Sequence, residues 1–437
     1  KGWADGDWNG SLVPTTDWTD YVTKTGFTHD HLLSASGGTE KVQAYGSFGY
    51  LKQDGTQLGQ DYQRYSGKLT VDITPVNWFK MGAVLNTTYG DQNYGYATTN
   101  ATGPGNLYFA ARGMLPFAVP YDEQGNRINL PGGDINILNP ILEASYNVNE
   151  RFIFRNFGNI YAEFEPLKGL KYKVNFGPDY YNNRNGRYMD ANSVNRGGGE
   201  PGSTNYAQLN QTMRFSWTLD NLIYYNKTFK KHNVGLTLLQ SATSFREETS
   251  TMLATNLPWD SQKWYQLNSV DKLDDFSSGL VETQMQSYMI RGNYDFDGKY
   301  LFTGSMRWDG ASMLGEGHKW DTSPSFALAW RQDKEGFLGS HSWINLLKAR
   351  IGYGVTGNSS VSAYSTLGRL QTLYYTWGNV VEPGYVPSDP STRDPLPLPN
   401  KELAWEKTAQ INYGDDFSFF KNRISGSLDY FTSKTTD

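Results

Sequence analysis

Gln286 to Ser312 reads QSYMIRGNYDFDGKYLFTGSMRWDGAS, and two alternating segments within it meet at Asp297-Gly298. Before that step, Tyr288, Ile290, Gly292, Tyr294 and Phe296 take the even positions, and Met289, Arg291, Asn293 and Asp295 the odd ones. After it, Tyr300, Phe302, Met306 and Trp308 share one side against Thr303, Ser305, Arg307 and Asp309. Side chains of a strand alternate between faces, so a period of two on both sides of an Asp-Gly step is the pattern of a β-hairpin. One face is apolar and aromatic toward its ends. The other carries an arginine on each strand at strand depth; a half-buried soluble sheet tolerates this, and a water-filled barrel lumen favours it.

The rest of the chain repeats this design within bounds set by composition. The 437 residues include no cysteine, which excludes a disulfide framework and thiolate metal sites. A formal charge of -5 without blocks of like sign argues against nucleic acid as a partner. No run of about 20 apolar residues is present, so a transmembrane helix is excluded. A transmembrane barrel is not, because alternation halves its apparent hydropathy. No leader is read at Lys1, and both ends read as cuts through a longer chain.

Taken in order, residues 1–26 read as a loop leading into the barrel, and residues 27–437 as barrel. Tyr65, Leu69, Val71 and Ile73 oppose Arg64, Lys68, Thr70 and Asp72; Phe215, Trp217 and Leu219 oppose Arg214, Ser216, Thr218 and Asp220; Ala349, Ile351, Tyr353 and Val355 oppose Lys348, Arg350 and Thr356. About 14 strands are expected, joined alternately by short turns and by longer loops near 91–150, 181–207, 246–280 and 358–400. Long loops gathered at one end are the habit of outer-membrane barrels. The expected fold is all-β, an antiparallel transmembrane β-barrel with Val71, Leu219, Ile290 and Ile351 toward lipid and Asp72, Arg214, Arg291, Arg307 and Arg350 toward the lumen.

Five motifs punctuate these strands: Ser36-Gly-Gly-Thr-Glu-Lys41 with Gly49-Tyr50-Leu51, Arg307-Trp-Asp-Gly-Ala-Ser312, Pro324-Ser-Phe-Ala-Leu-Ala-Trp330, Tyr353-Gly-Val-Thr-Gly-Asn358, and Leu403-Ala-Trp-Glu-Lys-Thr408 leading to Leu428-Asp-Tyr-Phe431. In this order and over nearly the whole chain, they resemble the SusC-like branch of TonB-dependent outer-membrane transporters (the SusC/RagA family). The resemblance implies a 22-stranded barrel, of which this chain looks like the second to about the fifteenth strand. It also implies a plug domain that is not in this chain, coupling to TonB-ExbB-ExbD through parts outside it, and a SusD-like lipoprotein lid over the extracellular loops. The function it implies is active import of an oligomeric nutrient, an oligosaccharide first and an oligopeptide second, without cofactor or catalysis.

Other chemistry is weaker. His29 and His31 share a strand face, but no carboxylate or further histidine is placed on that face to complete a metal site. The adjacent acids Glu247-Glu248, Asp274-Asp275 and Asp415-Asp416 diverge on an extended chain, which opposes a general acid and base pair. Gly197-Gly198-Gly199 lacks the lysine and helix of a phosphate loop. Tyr294, Phe296, Trp308, Trp330 and Trp405 lie near strand ends and read as girdles at the headgroup level. Tyr94, Tyr96, Trp259, Trp264, Tyr374, Tyr375 and Trp377 fall in the expected loops, away from lipid. Ligand platforms, lid contacts and internal loop packing are all open to them. A soluble glycan-binding protein and a glycoside hydrolase are the competing readings.

Overall fold

A computed structural model describes residues 3–4, 6–8, 10–13, 15–96, 106–133, 138–270, 273–338, 342–367, 371–378, 380–386 and 399–436. Fourteen strands form one antiparallel sheet. They are β1 (Thr28–Gly38), β2 (Val42–Asp54), β3 (Gln60–Val76), β4 (Phe79–Tyr94), β5 (Asn147–Leu167), β6 (Leu170–Met189) and β7 (Tyr206–Phe229), then β8 (His232–Thr255), β9 (Asp275–Phe296), β10 (Tyr300–Ala311), β11 (Trp320–Arg331), β12 (Ile344–Asn358), β13 (Glu406–Phe419) and β14 (Ile424–Thr436). Each pairs with its neighbours in sequence, so the wall is a pure meander.

At the central hairpin Tyr288 opposes Trp308, Ile290 opposes Met306 and Tyr294 opposes Phe302. Asp297 and Gly298 have φ of 54° and 62°, and the Lys299 amide donates to the Phe296 carbonyl at 2.9 Å. Two consecutive positive φ values are what a type I′ turn requires, and its twist matches that of the strands it joins.

The connections sort by end. Residues 39–41, 77–78, 168–169, 230–231, 297–299 and 420–423 make short turns at one, and 95–146, 190–205, 256–274 and 359–405 make long loops at the other. The short-turn end has one longer link, 332–343, and the long-loop end two shorter ones, 55–59 and 312–319.

One face of the sheet is apolar between two aromatic rows. Near the short turns, Trp78 packs on Phe164 at 5.0 Å, Phe229 stacks on His232 at 4.9 Å and Trp343 lies 5.4 Å from Phe419. Toward the long loops, Tyr50 meets Tyr65 at 5.1 Å, Tyr288 stacks on Trp320 at 6.1 Å and Phe326 meets Tyr353 at 5.5 Å. Leu69, Ile160, Ile223, Ile290 and Leu328 are exposed on the face between. On β9 the band from Phe296 back to Tyr288 matches the roughly 9 to 11 residues that a tilted strand needs to cross a bilayer. Among the described residues no helix is long and apolar enough to cross a membrane.

Three sequence expectations change. The strands outlast the alternation: β4 runs to Tyr94, β6 to Met189 and β8 to Thr255, so the loops expected from 91, 181 and 246 begin later. Beyond the second aromatic row both faces are polar, as in Asn182-Asn183-Arg184-Asn185, yet pairing between β7 and β8 is unbroken from Tyr206 opposite Thr255 to Phe229 opposite His232. The first 26 residues are not featureless, since α1 (Trp18–Val22) starts at Asp17, whose carboxylate accepts the Thr19 amide at 2.9 Å. Trp405 is not in a girdle. It is 7% exposed, packs with Ala311 and Leu314, and donates its indole N–H to the Lys319 carbonyl at 2.9 Å.

Candidate functional site

The face opposite the apolar band is a lattice of charge pairs. On β12 and its neighbours, Lys348 donates to Asp416 at 3.2 Å, while Arg350 reaches Asp416 at 3.2 Å and Asp429 at 2.8 Å. On β10, Arg307 donates to Asp309 at 2.8 Å and to Ser287 at 3.0 Å. Asp72 accepts from the Tyr161 hydroxyl, with Lys80 at 3.7 Å. Arg291, on the same face opposite Ser305, is exposed. The five residues expected on the polar face therefore share it. Alternation also separates the acid pairs: Glu247 meets Arg214 on this face, and Glu248 meets Arg246 on the other.

Toward the long-loop end this face becomes aromatic and basic. Tyr94 closes β4, and its hydroxyl accepts from Arg151 at 2.8 Å; Arg151 also donates to Asn183 at 3.0 Å. Arg214, whose Nε donates to Glu247 at 2.9 Å, lies over the rings of Tyr181 at 5.3 Å and Phe245 at 5.4 Å. Rings flanked by forked donors form a shelf suited to a polar oligomer, whose C–H faces pack on aromatics while its hydroxyls or amides take hydrogen bonds. Of these residues the sequence reading singled out Tyr94 and Arg214 alone. Arg151 and Tyr181 share the parity of the polar positions on β5 and β6, the signal that could have found them.

Above the shelf the loops have cores of their own. α2 (Leu107–Arg112) and α3 (Pro140–Tyr146) start on Asn106 and Asn139, each of which caps with its side chain. Trp18, Val22, Tyr96, Leu107, Ala111 and Met114 pack together. Tyr96 is 1% exposed, and its hydroxyl accepts from Asn195 at 3.0 Å. Burial pushes that phenol up to about 12. The Glu143 carboxylate, also buried, accepts from the Ser193 hydroxyl, from the Val194 amide at 3.1 Å and from Asn147 at 2.7 Å. Burial nonetheless holds it above the ordinary glutamate value.

The loop over residues 256–274 packs elsewhere. Trp264, 2% exposed, shares a cluster with Tyr188, Ala207, Ala254, Leu257 and Leu267. Its ring lies so close to Gly186 that an added Cβ would fall 2.1 Å from it. Gly186 has the parity of Tyr172, Val174 and Phe176, so this loop folds down over the face that is apolar lower on the wall. Its anchor is Asp260, which accepts from Tyr188 at 2.6 Å and Asn205 at 2.8 Å.

The sequence-selected loop aromatics thus divide. Tyr96 and Trp264 are buried in loop cores and offer no ring face to a ligand, so internal packing is the role that their geometry meets. Trp259, beside Asp260, is 65% exposed, and Tyr374 is 69% exposed on a two-stranded hairpin (Gln371–Trp377 with Val380–Val386). The side chains of Tyr375 and Trp377 lie outside the described residues. His29 and His31 stack at 6.3 Å, and His31 lies 6.5 Å from Tyr50. No cluster of three metal-binding side chains occurs among the described residues.

Comparison with known proteins places this geometry. The chain is 32% identical over 427 residues to TonB-dependent receptor P3 of Formosa agariphila, covering 97% of this chain and 41% of that protein. To TonB-dependent receptor SusC of Bacteroides thetaiotaomicron it is 26% identical over 441 residues, covering 97% and 42%. It superposes on the RagAB peptide importer in its closed-closed state with a TM-score of 0.81 at 22% identity, covering 97% of this chain and 46% of that one. No family model matches the chain. The chain spans about two fifths of the length of the curated relatives it matches.

Proposed function

We propose, on the premise that this chain belongs to the SusC-like TonB-dependent receptors as part of their outer-membrane barrel, that the whole protein actively imports an oligomeric nutrient across the outer membrane. The observation that carries the reading is the division of one wall into two chemistries. The apolar face with its two aromatic rows suits lipid. The face bearing Asp72, Arg214, Arg291, Arg307 and Arg350 suits a hydrated lumen, where a charge keeps its water. The long-loop end is then extracellular.

In this mechanism a polar oligomer meets Trp259 and Tyr374 on the loops and passes to the shelf of Tyr94, Arg151, Tyr181 and Arg214. A SusD-like lipoprotein covers the loops, and TonB-ExbB-ExbD supplies the pull through segments outside this chain. The wall is a passive conduit. An oligosaccharide is the first choice of ligand, because rings with apolar C–H faces and no fixed charge suit a shelf whose arginines are already engaged. An oligopeptide is the second, favoured by the fold shared with the RagAB peptide importer.

The test is the identity of what co-purifies with the intact protein and its lid, read by mass spectrometry. Sugar oligomers support the first ligand and peptide ladders the second. A small metal chelate as the sole ligand overturns both.

A further inference from the structure

We propose that the apolar face of β10 to β13 holds a phospholipid with a primary-ammonium headgroup, phosphatidylethanolamine in chemical type, with Asp415 as its counter-charge. Asp415 and Asp416 are adjacent and point apart. Asp416 is engaged by Lys348 and Arg350 on the polar face. Asp415 stands in the row of Ala349 and Leu428 on the other face, where it is exposed. On that face of β13, Phe417 and Phe419 lie between it and the turn at 420–423, and Tyr413 and Ile411 follow it. A lysine so placed could lift its charge to water on a long stem; an aspartate has no such reach. Asp415 has no ion-pair partner among the described residues, and an ionisable side chain so placed in a membrane band calls for a named one.

A second observation supplies the shape of that partner. The wall is hollowed beside Asp415 into an apolar groove of about 540 Å³, lined by Tyr300, Phe302, Leu328, Trp330, Ile351 and Tyr413. Ala349, opposite Asp415, is the small side chain that leaves the gap. At the groove's edge the Tyr300 hydroxyl and the Trp330 indole N–H donate to Glu335 at 2.6 and 3.2 Å. Glu335 lies in the link over 332–343, so these two rings mark the level at which lipid headgroups begin. Of the two carboxylates there, Glu335 is already paired with Lys299 at 3.3 Å, so a groove that is apolar along its length, open at headgroup level and left with the charge of Asp415 matches an acyl chain attached to a cationic group. An anionic lipid would meet repulsion there.

The inference rests on this face meeting lipid, and it is independent of what the protein imports. Its test is native mass spectrometry of the intact protein, purified in mild detergent and titrated with phosphatidylethanolamine or phosphatidylglycerol. Wild type is expected to retain the ammonium lipid roughly fivefold better. Asp415→Asn should abolish that preference, Asp415→Lys should reverse it, and Ala349→Leu should reduce retention of both lipids. All three variants should still run as folded, heat-modifiable barrels. Equal retention of the two lipids by wild type overturns the proposal, as does a preference that survives in Asp415→Asn. Loss of a two-copy assembly in Asp415→Asn, with no lipid bound to wild type, overturns it in favour of a second chain as the occupant.

Discussion

The lower and upper halves of the same strands obey different rules. Between the aromatic rows, β9 alternates Tyr288, Ile290, Tyr294 and Phe296 with Arg291, Asn293 and Asp295, and solvent segregation together with the Asp297-Gly298 turn fixes its register. Above the second row, β6 reads Asn182-Asn183-Arg184-Asn185-Gly186-Arg187 with no preferred face, and its pairing with β7 continues without a shift. There the backbone ladder and a loop packed from outside do what patterning does below. A strand can therefore be held by what lies against it as firmly as by what it separates, although only the second arrangement is written in its own residues.

The sharpest test of this contrast is Trp264→Ala. A large buried aromatic removed from a packed cluster costs about 3 to 5 kcal/mol, and the loss should stay in the cap. Residues 256–274 are expected to become protease-sensitive while membrane insertion, read as heat modifiability on a gel, is unchanged. Failure of insertion would show that the two halves are one cooperative unit.

Next comes the band itself. Ile351→Arg places a charge on the apolar face of β12, the face proposed to meet lipid, and should cost about 2 to 4 kcal/mol near the midplane, lowering the inserted fraction. Arg350→Gln, one residue away on the ion-paired face, should cost under about 1 kcal/mol, because its partners there remain in water. Equal sensitivity at the two positions would remove the assignment of faces.

A smaller effect is expected from Glu143. Folding raises its proton affinity, so it contributes stability that is fully present below the ordinary glutamate value and lost as pH rises through the folded value. The protection of amides in α3 and around Ser193, taken relative to the intrinsic exchange rate at each pH, should therefore fall from acid toward neutral pH, and Glu143→Gln should flatten that slope. A slope of opposite sign would mean that the carboxylate's three donors outweigh its burial.

The smallest structural effect belongs to Trp259. Exposed as it is, Trp259→Ala should change stability by less than about 0.5 kcal/mol yet lower uptake of the ligand in cells that still assemble the lid. Unchanged uptake would leave the ligand to the shelf around Tyr94 and Arg151.

The particular residues show what could be read in advance. The hairpin at Asp297-Gly298 and the faces of Val71, Leu219 and Ile351 follow from a period of two and a turn signal, both local. Trp264 and Trp405 have no such signature, because the burial of each depends on a distant surface: the bare backbone of Gly186 for one, and Ala311, Leu314 and the Lys319 carbonyl for the other. A glycine interrupting the polar run of β6 was the available hint. Arg151 and Tyr181 carried the right parity, but Tyr181 lay in a stretch assigned to a loop (181–207) and Arg151 directly beside one (91–150), so no face was attributed to them.

The meander has a consequence for how the protein can vary. Every connection joins strands that are already adjacent in the wall, so lengthening one adds only the entropy of closing a larger loop. That entropy grows with the logarithm of length, about 0.6 kcal/mol for each doubling. Neither 95–146 nor 359–405 sets the pairing of the strands it links, which their own ladders settle. Insertions, deletions and wholesale replacement there leave the wall's contact order nearly untouched. Descendants of this sequence can therefore exchange these long loops without relearning how to fold.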